Sequence, residues 1–137
     1  MSRRLALALL VAAPLAALAD GQEDAVEHAK ETPIECKSAQ SFEPLLELSS
    51  SGTISDTEAS DALAEANEDM FLTCPYELLL ALSGAPRETV DGFVGFFGRR
   101  HAPSELAVEL KKWKNHPKVG PLVRSRFAGF LDAKGGK

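Results

Sequence analysis

The sequence has little of what most chemistry needs. Its 137 residues hold two cysteines, three histidines, two methionines, one tryptophan and one tyrosine. His28, His101 and His116 fall on different segments, none with a ligand partner at i+3 or i+4, which argues against a helical metal site. No Gly-x-Ser-x-Gly, phosphate loop or His-Glu-x-x-His occurs. Acidic pairs are plentiful, but no evident apolar pocket surrounds one to raise its pKa for acid catalysis. No stretch alternates apolar and polar residues with β-branched enrichment, so strands are not expected. These absences turn the reading from an enzyme toward a binding protein with no cofactor.

Only one long apolar run stands out besides the middle of the chain, and it lies at the start. Arg3 and Arg4 precede Leu5–Leu10, and Ala17-Leu18-Ala19 supplies small residues before the polar Asp20. Residues 1–19 are read as a secretory signal peptide cleaved after Ala19, too short in its apolar part to span a bilayer. The expected mature chain, 20–137, suits one domain, periplasmic or secreted, without stable membrane insertion. Two cysteines in an exported chain imply one disulfide, Cys36–Cys74, although spacing alone does not bring them together.

Proline and glycine punctuate the remainder into short helices. Asp20–Thr32 is polar and acidic, and is read as a frayed helix or a disordered segment ending at Pro33. Ser41–Ser49 reads as a helix with Pro44 in its first turn. A capping box, Ser55-Asp56-Thr57-Glu58, opens a longer one, with Ala59, Leu63, Ala66, Met70 and Cys74 in one arc. Pro75 starts the next and Gly84 closes it. Pro86 opens a helix with Val90, Phe93, Val94, Phe96 and Phe97 on a broad apolar face, stopped by Gly98. Ser104–Asn115 follows, its lysines at the C-terminal end where the helix dipole favours cations. Pro121 begins the last. The expected fold is all-α, a single domain of five or six short helices with one disulfide. The run Met70–Leu82, the densest apolar stretch after the leader, is expected to sit at its centre.

Charge is distributed unevenly. Residues 20–80 carry 15 acids against Lys30 and Lys37, a net of −13, whereas residues 81–137 carry five acids and 11 bases, a net of +6. Such polarity suggests either mutual neutralisation of the halves or an electrostatic partner, and the acidic total argues against nucleic acid. The sharpest feature is a stripe, Glu58, Asp61, Glu65 and Glu68 at i, i+3, i+7, i+10 with Asp69 beside them, on a helix with no base. Like-charge neighbours of this kind cost on the order of 1–2 kcal/mol together. The stripe is read as the candidate partner-binding surface, for a cationic protein; a solvated face or docking of the chain's own basic half are the alternatives. If the halves do pair, stability should fall as acid neutralises the carboxylates. Gly92 and Gly95 lie opposite the apolar face of their helix, which points to a close backbone approach or to simple tolerance. Arg99-Arg100-His101 reads as a solvated basic connector or part of an anion patch.

Two motifs carry resemblances. Cys74-Pro75-Tyr76 is similar to the Cys-Pro-Tyr-Cys of glutaredoxins, but Glu77 stands where the second cysteine belongs. Trp113-Lys114-Asn115-His116-Pro117, followed by a short apolar helix, resembles the end of small periplasmic immunity proteins. Those proteins neutralise peptidoglycan-cleaving amidase effectors of the type VI secretion system. Cys74-Pro75-Tyr76 also matches their cysteine-then-tyrosine helix start. The resemblance spans residues 74–133 and implies an exported, all-helical, disulfide-bonded inhibitor. The chain departs from the pattern in lacking further C-terminal cysteines and in having Leu78–Leu80 where a glycine is expected, so no interface residue is carried over. One cysteine pair in a small acidic helical protein also resembles periplasmic acid-stress chaperones of the Hde type, which open at low pH. The expected function is therefore an exported immunity or inhibitor-type protein, with the chaperone as the alternative and a homodimer compatible with either.

Overall fold

The computed structural model describes residues 15–132. Among them it has eight α-helices and no strand. The helices are α1 (Leu15–Lys30), α2 (Glu43–Ser50), α3 (Thr57–Thr73), α4 (Pro75–Ser83), α5 (Arg87–Gly95), α6 (Pro103–Lys111), α7 (Gly120–Arg126) and α8 (Ala128–Leu131), with a 3-10 turn, Ala39–Phe42, before α2. The all-α expectation holds, with more helices than the five or six expected. The last expected helix is broken at Phe127 into α7 and α8. The first 14 residues of the expected signal peptide, and residues 133–137, lie outside the described residues.

The molecule is assembled around α3, which packs against α1, α2, α4 and α6. From Leu63 to Phe71 only Glu65 and Asp69 reach solvent. Ala59, Leu63, Met70, Phe71 and Cys74 enter the same core as Leu78, Leu79 and Leu82 of α4, so the Met70–Leu82 run is central as expected. Phe93 and Phe97 stack at 5.2 Å, and both rings meet Phe127.

One expectation is corrected, and one reading left open is narrowed. Of the two alternatives for the segment 20–33, the structure has the helix, which runs through Lys30 as most of α1. Val26 and Ala29 are buried, and α1 packs on α2 and α3. The physical reason is long-range. Gln22 Oε1 accepts the backbone N–H groups of Ser55 (2.9 Å) and Asp56 (2.7 Å), so α1 is tied to the start of α3. That tie also displaces the expected capping box. Asp56, rather than Ser55, is the N-cap, its Oδ2 accepting the Ala59 N–H at 3.1 Å.

Prolines and glycines act as the sequence suggests. Pro44, Pro75, Pro103 and Pro121 stand in first turns, where a missing N–H leaves no bond unmade. Cys74, with φ −134 and ψ 63, is the corner between α3 and α4. It is bonded to Cys36 with a Cα–Cα distance of 5.3 Å. The buried Ser41 hydroxyl holds the Cys36 loop, accepting the Glu35 N–H at 3.0 Å and donating to the Ser38 carbonyl at 2.7 Å.

The paired glycines of α5 separate into two cases. A Cβ at Gly92 would lie 2.6 Å from Ser50 Cα and 2.7 Å from the Ser49 carbonyl, so α5 presses its backbone on the end of α2. A Cβ at Gly95 meets nothing within 4 Å. Gly92→Ala should therefore destabilise the fold by about 1–3 kcal/mol through overpacking. Gly95→Ala should be neutral or stabilise it by up to about 1 kcal/mol. Urea titration of both variants checks this, and equal midpoints would remove the argument for contact at Gly92.

Candidate functional site

The acidic stripe is not one surface. Glu58 and Glu65 are exposed and Asp61 is half-buried, but Glu68 is 0% exposed. Glu68 is thus corrected as a partner-binding residue: its carboxylate serves the protein's own basic connector. It accepts the backbone N–H groups of Arg99 (2.8 Å), Arg100 (3.2 Å) and His101 (2.6 Å). Three successive N–H groups converging on one carboxylate form an anion-binding nest whose anion is the protein's own. Gly98, at φ +80, turns the chain into this loop. A Cβ there would run into the Phe130 ring, and the positive φ itself disfavours any larger residue. Asn67, also buried, holds the loop's entry, donating to the Phe96 carbonyl at 3.1 Å and to Ser49 Oγ at 2.9 Å.

The neighbours of Glu68 pair less deeply. Arg100 Nε lies 3.9 Å from Glu65, an exposed contact of small energy. His101 Nε2 is 2.7 Å from Asp69 Oδ1, and its Nδ1 is 3.4 Å from Glu105. The Asp69 hydrogen bond raises the His101 pKa above 6.5; partial burial opposes this, and the charges of Asp69, Glu68 and Glu105 add to it. Folded His101 thus holds its proton to higher pH than an unfolded histidine. Its contribution to stability is complete below about pH 6.5 and is lost as pH rises through the folded value. Stability should decline on the alkaline side of 6.5, and His101→Asn should flatten that decline. Thermal melts of the two proteins across this range measure it, and parallel curves would show that His101 is not the group.

The halves therefore neutralise each other only locally. Asp24, Glu27, Glu43, Glu47 and Glu58 remain exposed on α1–α3, as does Glu31 in the turn after α1. Within this pole the described ion pairs are short-range, Lys30 with Glu27 at 3.4 Å and His28 with Glu31 at 3.2 Å. Between α1 and α2 runs a groove of about 710 Å³, lined by Ala25, Ala29, Pro33, Pro44 and Leu48 and by the exposed Glu31 and Glu47.

At another corner the motif residues of the immunity-protein resemblance meet. Tyr76 stacks on Trp113 at 5.0 Å and on His116 at 5.1 Å, and the latter two rings are 5.8 Å apart. Trp113 Nε1 donates to Glu109 at 3.2 Å. His116 Nδ1 accepts the Lys118 N–H at 3.1 Å, closing the turns that follow α6. These contacts explain the Trp-Lys-Asn-His-Pro run as a joint between α4 and the end of α6. The single tyrosine and tryptophan gave no sign in the sequence that they would meet.

Among the described residues no group of histidine, cysteine and acidic side chains could hold a metal ion, and no helix is long and apolar enough to cross a membrane. Set beside known families, curated proteins and solved structures, the chain matches none of them.

Proposed function

We propose that the protein is an exported binding protein of the immunity or inhibitor type, in the periplasm or secreted, which neutralises a cationic envelope-acting effector. One observation carries the reading. After Glu68 and Asp69 are engaged by the connector, α1–α3 still present an acidic pole. An acidic pole attracts a basic partner from a distance and speeds encounter in a salt-dependent way. The disulfide supports an oxidising address. The test begins with affinity capture from the host's envelope extract, identified by mass spectrometry. Binding of the captured protein is then measured by calorimetry at low and moderate salt. A pole-wide swap, Glu27→Lys, Glu31→Lys, Glu58→Lys and Asp61→Lys, should weaken it by about tenfold or more at low salt. Wild-type affinity in the swap, with circular dichroism showing a native fold, would defeat the reading.

A second reading, the acid-stress chaperone, is favoured by Glu68. Three N–H groups of residues 99–101 converge on this one buried side chain, so loss of that contact would release the connector. Suppression of client aggregation at low pH, with loss of tertiary circular dichroism, would support it. Native packing at pH ~2 would count against it.

A further inference from the structure

We infer that the groove between α1 and α2 is where the partner docks, and that it receives a basic, apolar segment of that protein. The inference rests on the protein-binding reading above and adds the place and the chemistry. Half of its ten lining residues are apolar: Ala25, Ala29, Pro33, Pro44 and Leu48. Its volume, about 710 Å³, falls within the range of small-molecule clefts. Such clefts fix a ligand by buried, convergent polar groups. Here the polar lining, His28, Glu31, Thr32, Glu47 and Ser51, is exposed or only half-buried. A groove with an apolar floor and carboxylates at its lips complements an amphipathic segment that buries leucine-like side chains and presents lysine or arginine outward. Glu31 stands in the turn directly after α1 and Glu47 on α2, so an occupant lying along the groove has a carboxylate on either side. Asp24, Glu27 and Glu43, all exposed on the same two helices, extend the field beyond the groove. Among the described residues beside it, Lys30 is paired with Glu27, and His28 lies 3.2 Å from Glu31. By contrast, of the α3 stripe only Asp69 lines a described cavity, a smaller one of about 170 Å³. Of its five acids, Glu68 is buried and Asp69 holds His101, which leaves Glu58, Asp61 and Glu65.

The probe is a synthetic amphipathic helix of leucine and lysine, with a counterpart in which glutamate replaces every lysine. Each is titrated into the disulfide-intact, isotope-labelled protein, and amide shifts are followed by NMR at low and moderate salt. The lysine peptide should perturb Ala25, Ala29 and Leu48, and the glutamate peptide should not. Ala25→Lys fills the groove from a half-buried helix position. It should weaken binding at least tenfold, as should Glu31→Lys with Glu47→Lys. Glu58→Lys with Asp61→Lys should leave it within twofold of wild type. Perturbation confined to Glu58–Asp69, and lost only in that last pair, would overturn the groove while leaving the acidic-pole reading intact. No perturbation by the lysine peptide, or equal binding of both peptides, would also overturn the groove. The acidic-pole reading itself falls only with the pole-wide swap described above.

Discussion

Replacing Glu68 with alanine should destabilise the protein by about 3–5 kcal/mol, a large part of the ~5–15 kcal/mol typical of a whole domain. The carboxylate is fully buried and holds three backbone N–H groups of residues 99–101. Removing it leaves those donors without their shared acceptor, and each partly buried donor then carries its own desolvation cost. Glu68→Gln keeps one acceptor oxygen but aims an amide N–H₂ at the same donors, so it should still cost about 2 kcal/mol. Glu65→Gln, one turn earlier and exposed, should change stability by less than about 0.5 kcal/mol. Guanidinium titration of the three variants separates these values. A Glu68→Ala midpoint equal to that of Glu65→Gln would show that the nest is not stabilising.

Removing the disulfide should have an effect of similar size by another route. Cys36 and Cys74 are 38 residues apart, and closing a loop of that length in the unfolded chain corresponds to about 4 kcal/mol in the chain-entropy account. The double variant Cys36→Ala with Cys74→Ala is the cleaner test, because serine at the buried Cys74 would add an unpaired hydroxyl. Its unfolding midpoint should fall to that of the reduced wild-type protein. Both should lie well below the oxidised form. If the oxidised and reduced midpoints coincide, the Cys36 loop and the α3–α4 corner are held by packing alone.

The legibility of this fold in its sequence follows the range of the interactions. The helix start at Pro75 and the stop at Gly84 are local chemistry, and they were readable; the stop expected at Gly98 comes earlier, with α5 ending at Gly95. So was the disulfide, since two cysteines leave one pairing. The fate of the acids was not. Glu65 and Glu68 lie on one arc, yet one is exposed and the other is in the core. What separates them is the loop at 99–101, more than 30 residues on, brought over α3 by the turn at Gly98. The docking of α1 was hidden for the same reason: its polar, acidic sequence allows a helix, but Gln22 reaching Ser55 and Asp56 is what ties that helix to the start of α3. Gly92 and Gly95 look alike in sequence and differ only in whether α2 lies beside them. The groove has no signature in either helix alone, because its walls come from two segments.

The corner formed by Tyr76, Trp113 and His116 sets what light can report about this molecule. Its only tryptophan and its only tyrosine are in van der Waals range of each other. Tyrosine excitation will therefore pass to the indole, and emission will come from one place. That place is the joint of α4 with the end of α6, beside the helix corner that carries Cys74. Undocking of this joint will change both the colour and the yield of the emission, because the ring is half-buried and rests against an imidazole. The acidic pole on α1 and α2 has no chromophore of this kind. A partner seated there will be spectroscopically silent in the native protein, and a tryptophan placed at Leu48 would make that region visible.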